Sequence, residues 1–558
     1  MGQQQTIDPI TLEIVWRRFT SIVDESEAVI AHTSFSSTVG EASDFSAVIL
    51  DARGRLFAQT ASSALGGFVG VLPRAARTVL KIFQDRPLRP GDVIVTNDPW
   101  ICAGHLPDMM MLRPIFFNGR VVGYAANIAH LSDVGGRVSA EATDVFQEGL
   151  QIPPSFLYHG DKLNHDVMNF IKRNSRTPKQ IEGDIQAQVA ACRAAEQRSI
   201  EALREYRLTD LEDLSDAIQD RTETAMRAAI RDIPDGDYKS EVWSDGIDES
   251  LRIAVNIQVR GDEILVDYSG TSPQVDRGIN CPFNLTYAET VYPLHCALVP
   301  NLPVAEGSLA PIKVSAPEGT VINPRYPAPV MIRVAVIHNA HAAIFRALSG
   351  LVPQYIAPTA IAAHSGGVWA FRFAGSYREV PRAYKGVGLP QESEQYVQMY
   401  LFNGGVGATG GCDGANTKSV PANVGNVPIE VMEARCPVLF ERKELMPDSG
   451  GVGEYRGGLG QRVVIRNLDD KPIEFIPGAG DRIRNKPFGL VGGGEGSGGG
   501  IYIDGTAVHP RKTHILQPNH IVEVCVPGGG GFGRLENRDV KQIAEDLRLG
   551  YVTPQGGG

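Results

Sequence analysis

Two histidines and an aspartate stand close together in one stretch of this chain, Val93 to Gly136: His105, Asp108 and His130. The residues between them predict a β-hairpin. Asn118-Gly119 suits the positive φ angles of a two-residue type I′ turn, and apolar runs flank it, Met109 to Phe117 and Val121 to Ile128. Phe117 then pairs with Arg120. Counting outward on an ideal ladder sets Pro107 opposite His130 and His105 opposite Ser132. Residues two apart on a strand share a face, so the two imidazoles sit diagonally on one side and Asp108 belongs to the other. Pro107 has no N–H to give a ladder, so the strand is predicted to begin after it. The turn at His105-Leu106-Pro107-Asp108 is then expected to swing the carboxylate round toward both imidazoles. Two imidazoles and a carboxylate at the open end of a hairpin form a donor set for a divalent cation. Singly, each reads as a solvated loop residue; it is the shared hairpin that argues for metal.

The elements that position this hairpin belong to a long chain. At 558 residues it is too long for one core, and two to four domains are expected. A net charge of −11 argues against a nucleic-acid surface. No apolar run has membrane-spanning length, and the start, MGQQQTIDPITLEI, lacks the basic and apolar regions of a secretory leader. Seven scattered cysteines with no Cys-x-x-Cys read as reduced thiols, so a cytoplasmic location is expected.

Asp8-Pro9 opens a helix as N-cap and N1, with Leu12, Val15, Trp16, Phe19, Ile22 and Val23 at helical spacing to about Ala31. Ser43 to Leu50 predicts a strand with Asp44 at its mouth, a turn at Asp51 to Gly54, and a return from Arg55 to Gln59. Ala61 to Phe83 is small and apolar, with Pro73 near a helix start. Ile181 to Leu203 and Leu211 to Ala229 predict two helices, the second opened by a capping box at Thr209 to Glu212. Short strands follow at Ser240 to Trp243, Leu251 to Val259, Glu263 to Tyr268 and Pro311 to Ser315, with helices at Thr286 to Leu298 and Val334 to Leu348. His338 and His341 lie one turn apart, a spacing that could ligate metal, but they lack the Glu of an HExxH zinc site and read as packing or surface residues. The last third is glycine-dense. Gly405 to Gly410 spells GxGxxG, but no helix pattern follows, so a dinucleotide site is rejected; there is no GxxxxGK[ST]. The glycine clusters read as tight β-turns, and Asn537 to Gly550 as a short helix started by Asp539. The expected fold class is α+β and multidomain: an α/β metal-site part over 1–175, a helical segment over 176–235, an α+β part over 236–400, and a glycine-rich, sheet-rich part over 401–558.

Ordered motifs along nearly the whole chain resemble the hydantoinase B/oxoprolinase family. They are Asp44-Phe45-Ser46 with Asp51-Ala52-Arg53-Gly54, Gly91-Asp92-Val93, Asn97-Asp98-Pro99-Trp100, His105-Leu106-Pro107-Asp108, Ala129-His130 with Asp133-Val134-Gly135-Gly136, and Gln147-Glu148-Gly149-Leu150 with Ile152-Pro153-Pro154. Late in the chain come Asp448-Ser449-Gly450-Gly451, Tyr455 to Gly460 and Pro527-Gly528-Gly529-Gly530. The resemblance implies a divalent metal (Zn, Mn or Fe) held by His105, Asp108 and His130, and adds Asp44 to the ligands. Asp98 and Asp133 follow as supporting or substrate-positioning groups; otherwise they brace turns before Pro99 and Gly135. The chain departs from the family in having His130-Leu131 where many members have paired histidines, and Arg137 to Ala140 where the oxoprolinase branch has a Pro-Gly-Ser-Met-like run.

The function implied is that of the metal-dependent B-type subunit of an ATP-dependent hydantoinase or lactamase. A separate, A-type ATP-binding subunit would phosphorylate the cyclic amide, making a hetero-oligomer, and hydrolysis would follow here. Asp133 or Glu148 is expected as general base. The alternative is the matching subunit of an ATP-dependent ketone carboxylase of the acetone or acetophenone type. A third reading, from another class, is a scaffold whose aspartates and histidines only brace turns.

Overall fold

The structure, a computed structural model, describes residues 8–60, 68–351, 354, 362–376 and 395–555. Part of the small apolar stretch read from Ala61, residues 61–67, lies outside the described residues. The architecture is α+β, and among the described residues helices pack against four sheets.

The first sheet carries the hairpin. In chain order its strands are β1 (Phe45–Asp51), β2 (Leu56–Gln59), β3 (Val93–Thr96), β4 (Asp108–Phe117), β5 (Arg120–His130), β6 (Ser155–His159) and β7 (Lys162–Leu163). In space they run β2-β1-β5-β4-β3-β6-β7, and every pair is antiparallel. The long apolar runs of β4 and β5 follow from burial on both faces. Met109 and Met111 join a core with the helices Pro9–Thr33 and Pro178–Glu205. Met110 and Leu112, one residue out of phase, point the other way into the core shared with the second half of the chain. Helix Pro178–Glu205 is pinned to the sheet by Gln188, whose amide donates to Met109 O (2.8 Å) and Asn127 Oδ1 (3.0 Å). The following helix, Glu212–Arg231, starts later than the predicted box. Thr209 does not cap it; Asp210 Oδ1 instead accepts the Glu212 N–H at 3.0 Å.

The second sheet orders β8 (Gly236–Ser244), β9 (Leu251–Arg260), β10 (Glu263–Asp267) and β11 (Ile312–Ser315) as β11-β10-β9-β8. Helices Phe283–Leu298 and Val334–Leu348 pack beside it. In the third sheet β12 (Val368–Ser376) lies between β13 (Gln395–Asn403) and strand Ile473–Pro477, with His514–Leu516 at the edge. The fourth joins Val438–Leu445, Gln461–Asn467, Ile521–Val526, Gly500–Ile503 and Thr506–Ala507. A single apolar cluster from Ala42 to Phe532 draws on all four of the sequence-based segments.

The glycine clusters around residues 405, 450–460, 489–496 and 527–533 serve less as tight turns than as places where backbone meets backbone. Gly458 N donates to Val406 O (2.8 Å) and Gly529 N to Gly458 O (2.9 Å). A Cβ on Gly405 would stand 1.9 Å from Gly458 O, so a side chain there would push these layers apart. No helix starts at the GxGxxG run.

Candidate metal centre

The hairpin turn forms as its sequence dictates, with Asn118 at φ 50° and Gly119 at φ 79°. Phe117 pairs with Arg120 and Phe116 with Val121. The register then shifts: Ile115 faces Gly123, and Val122 is the extra residue of a bulge. Every pair beyond it moves by one, so Asp108, not Pro107, lies directly opposite His130. The bulge therefore turns Asp108 to the same face as His130, where an ideal ladder would have opposed them. Phe45 of β1 pairs with Ala129, and Asp44, just before β1, accepts the His130 N–H on its carbonyl at 2.9 Å. Asp44, His130 and Asp108 thus form a row across the ends of three adjacent strands.

His105 reaches this row from the loop before β4. Its Nε2 lies 2.9 Å from Asp108 Oδ1 and 3.2 Å from His130 Nδ1, and His130 Nδ1 is 3.1 Å from the same oxygen. Asp44 Oδ2 stands 4.0 Å from His130 Nδ1. Three of these residues, His105, Asp108 and His130, are buried and offer donor atoms to a common point. Ligands on a tetrahedral centre at about 2.0–2.1 Å stand roughly 3.3 Å from one another, so the spacing and donor chemistry fit a small divalent cation. His105 Nδ1–H donates to Met331 O at 2.8 Å, which leaves the Nε2 lone pair facing inward. Burial, reinforced by Arg333, holds the His105 imidazole near a pKa of about 3, in the neutral form that binds metal. Burial also pushes the Asp44 carboxyl up to about 6. Asp108 goes the other way. Burial would raise it, but His105 and Arg333 together hold it well below the usual carboxylate range.

Arg333 was not visible as a site residue in the sequence. Its Nη2 donates to Asp108 Oδ2 and its Nε to Ala103 O, which leaves Asp108 Oδ1 for the imidazoles. Gly104 sits at φ 86°, and a Cβ there would come within 2.9 Å of Arg333 Cδ, so glycine makes room for this guanidinium. Asn97 ties the loop down: its amide donates to Leu106 O (2.8 Å) and Leu150 O (2.9 Å), and its carbonyl accepts from Ile152 N (2.7 Å).

The row opens onto a cavity of about 750 Å³, mouth included. Beside the four hairpin-side residues its walls carry Glu289, His338, Arg333 and Arg372 in an otherwise apolar lining. His338 and His341, read as packing or surface residues, are both buried, and Glu289 lies in contact with His341 Nε2 and 3.8 Å from His338 Nε2. The signal that marks the missed cations is a lone charge within an apolar run, Arg333 in Pro329 to Ile337 and Arg372 in Val368 to Ala374.

Neither carboxylate expected as general base is among the residues lining this cavity. Asp133 is clamped by Arg176, with Nη2 at 2.6 Å and the Arg176 backbone N–H also on its carboxylate. Glu148 is fully buried, and its Oε1 accepts the N–H groups of Val330 and Met331, both at 2.8 Å. It braces the segment that carries Met331 O and Arg333. Asp98 closes an Asx turn onto Trp100 N at 2.9 Å.

A fold of this topology has known counterparts. The chain belongs to the hydantoinase B/oxoprolinase family, whose model matches residues 8–535. It is 30% identical to the putative B-type subunit of the D-/L-hydantoinase of Pseudomonas sp. (strain NS671), over 98% of this chain and 94% of that one. The crystal structure of the ATP-dependent caprolactamase from Pseudomonas jessenii superposes with a TM-score of 0.83 at 28% identity, covering 99% of this chain and 96% of that one. A nucleotide-free acetone carboxylase structure shares the fold, with a TM-score of 0.86 at 17% identity, over 100% and 80%.

Proposed function

We propose that this chain is the hydrolytic subunit of an ATP-dependent enzyme that opens cyclic amides of the hydantoin or lactam class. The observation that carries the reading is the meeting of His105 Nε2, Asp108 Oδ1 and His130 Nδ1 at one wall of a cavity. The relatives named as a B-type hydantoinase subunit and as an ATP-dependent caprolactamase support the substrate class and a partner subunit. The sequence has no GxxxxGK[ST] loop, so ATP is assigned to an A-type partner in a hetero-oligomer.

His105, Asp108 and His130 would hold the cation, with Asp44 as fourth ligand; neutral imidazoles and carboxylates suit Zn, Mn or Fe(II). Such an ion, when bound, acidifies a bound water and stabilises oxyanion charge. The protein's own part is to prepare the place. Met331 O fixes the tautomer of His105, and Arg333 holds Asp108 ionised and correctly turned. The apolar walls exclude water from the space beside them, which strengthens each polar contact made there. Glu289 and His338 stand on the same wall, as the groups left to exchange a proton with the departing ring nitrogen.

The test is to co-express the chain with its ATP-binding partner and assay hydantoins, lactams and aromatic ketones, with and without bicarbonate. ATP-dependent ring opening is expected. Ketone carboxylation without ring opening would overturn the hydrolase reading in favour of a carboxylase.

A further inference from the structure

The cavity has a floor as well as the wall of His105, Asp108 and His130, and among the described residues one charged group on that floor has no ion-pair partner. Strands β12 and β13 pair with Arg372 opposite Met399 and Ala370 opposite Leu401. Val368, Ala370 and Arg372 alternate out of one face of β12 to line the cavity with Met399 and Leu401. Phe371 and Phe373 leave the other face and pack against Phe475. Among the described residues the floor is therefore hydrocarbon except for one guanidinium.

Arg372 is 3% exposed, and its Nε has no hydrogen-bond partner. Among the described residues no carboxylate forms an ion pair with it. The charges that act on it, Asp133 and Arg176, are bound to each other. Arg333, the other guanidinium on the wall, is committed to Asp108 and Ala103 O. Burial draws the Arg372 pKa down to about 10, so the group stays cationic at neutral pH. A buried charge without a partner costs several kcal/mol. A ligand that brings the opposite charge recovers that cost on binding, and a guanidinium fork matches the paired oxygens of a carboxylate or phosphoryl group.

We propose that Arg372 is a specificity-determining residue that binds an oxyanion of the molecule processed beside His105, Asp108 and His130. The oxyanion is either a carboxylate carried by the cyclic amide or the phosphoryl group of its activated form. The proposal rests on the hydrolase reading for what the ligand is, but its test requires no turnover.

Isothermal titration of the chain as isolated would use three probes: inorganic phosphate, a five-membered cyclic amide bearing a ring carboxylate, and the same ring as its carboxamide. At least one oxyanion probe is expected to bind tenfold or more tightly than the neutral carboxamide. Arg372→Met should erase that preference and Arg372→Lys should keep part of it. Because Arg372→Met removes an unpaired buried charge, it should melt no lower than wild type. Binding of phosphate alone assigns the phosphoryl group; binding of the ring carboxylate assigns the substrate. A wild-type chain that binds all three alike, or none, overturns the proposal, as does undiminished oxyanion binding by Arg372→Met. Oxyanion binding through Arg372 without ring opening would leave the subsite standing and sink the hydrolase; ring opening without oxyanion preference would do the reverse.

Discussion

At the scale of single residues, the centre is built from groups that would be costly if left unmatched. Asp108 has Arg333 on one oxygen and two imidazoles at the other, all buried. His105→Ala removes one donor and is predicted to cut metal content and turnover by more than about a hundredfold, beyond the loss typical of groups that merely orient a ligand. Asp108→Ala also strands the Arg333 guanidinium and should cost about 3–5 kcal/mol, read by denaturant unfolding. Equal stabilities for the two variants would contradict the Arg333 contact. Glu148 gives a different readout. Burial lifts its carboxyl to about 8, against two backbone N–H groups that lower it. The folded chain thus holds a proton that the unfolded chain releases from a carboxyl near its ordinary value. The stability from this group is fully present below the unfolded value of about 4.3 and is lost as pH rises through about 8. Glu148→Gln keeps an acceptor for Val330 and Met331 and should flatten that slope. Glu148→Ala leaves two buried N–H groups unmet, at about 1–3 kcal/mol each. A wild-type stability that is flat between pH 5 and 8 would refute the assignment.

At the scale of elements, the turn of the hairpin was legible and its register was not. Asn118-Gly119 specifies a local conformation, so four residues sufficed to place it. The bulge at Val122 is set by packing: β5 must satisfy β1 on one side and β4 on the other while both faces are buried, and no local residue announces the extra step. The same holds for the second wall. Arg333, Glu289, His338 and Arg372 lie more than 150 residues beyond His130, and only the fold brings them to its cavity. Asp133 and Glu148 show the limit of a motif: a carboxylate in a distinctive run can be held as a brace, as Arg176 holds Asp133 and two backbone N–H groups hold Glu148. The loop before β4 depends on Asn97. Asn97→Ala severs its bonds to Leu106, Leu150 and Ile152. It should lower metal affinity by about 10–100-fold, measured by competition with a chelating dye, while His105, Asp108 and His130 stay in place. Unchanged affinity would show that the loop holds itself.

At the scale of the whole molecule, both halves are required for one cavity. The first sheet and its loops supply Asp44, His105, Asp108 and His130, and the helices and third sheet supply Arg333, Glu289 and the floor. No helix among the described residues is long and apolar enough to cross a membrane. We propose that an ion held by His105, Asp108 and His130 is what makes this chain hydrolytic once its partner has used ATP. The direct measurement strips the purified complex with a chelator, restores Zn, Mn or Fe(II) in steps, and records bound metal and ring opening together. Activity is predicted to rise in proportion to bound metal, to saturate near one ion per chain, and to stay absent in His105→Ala. Full ring opening by a metal-free complex would contradict the account.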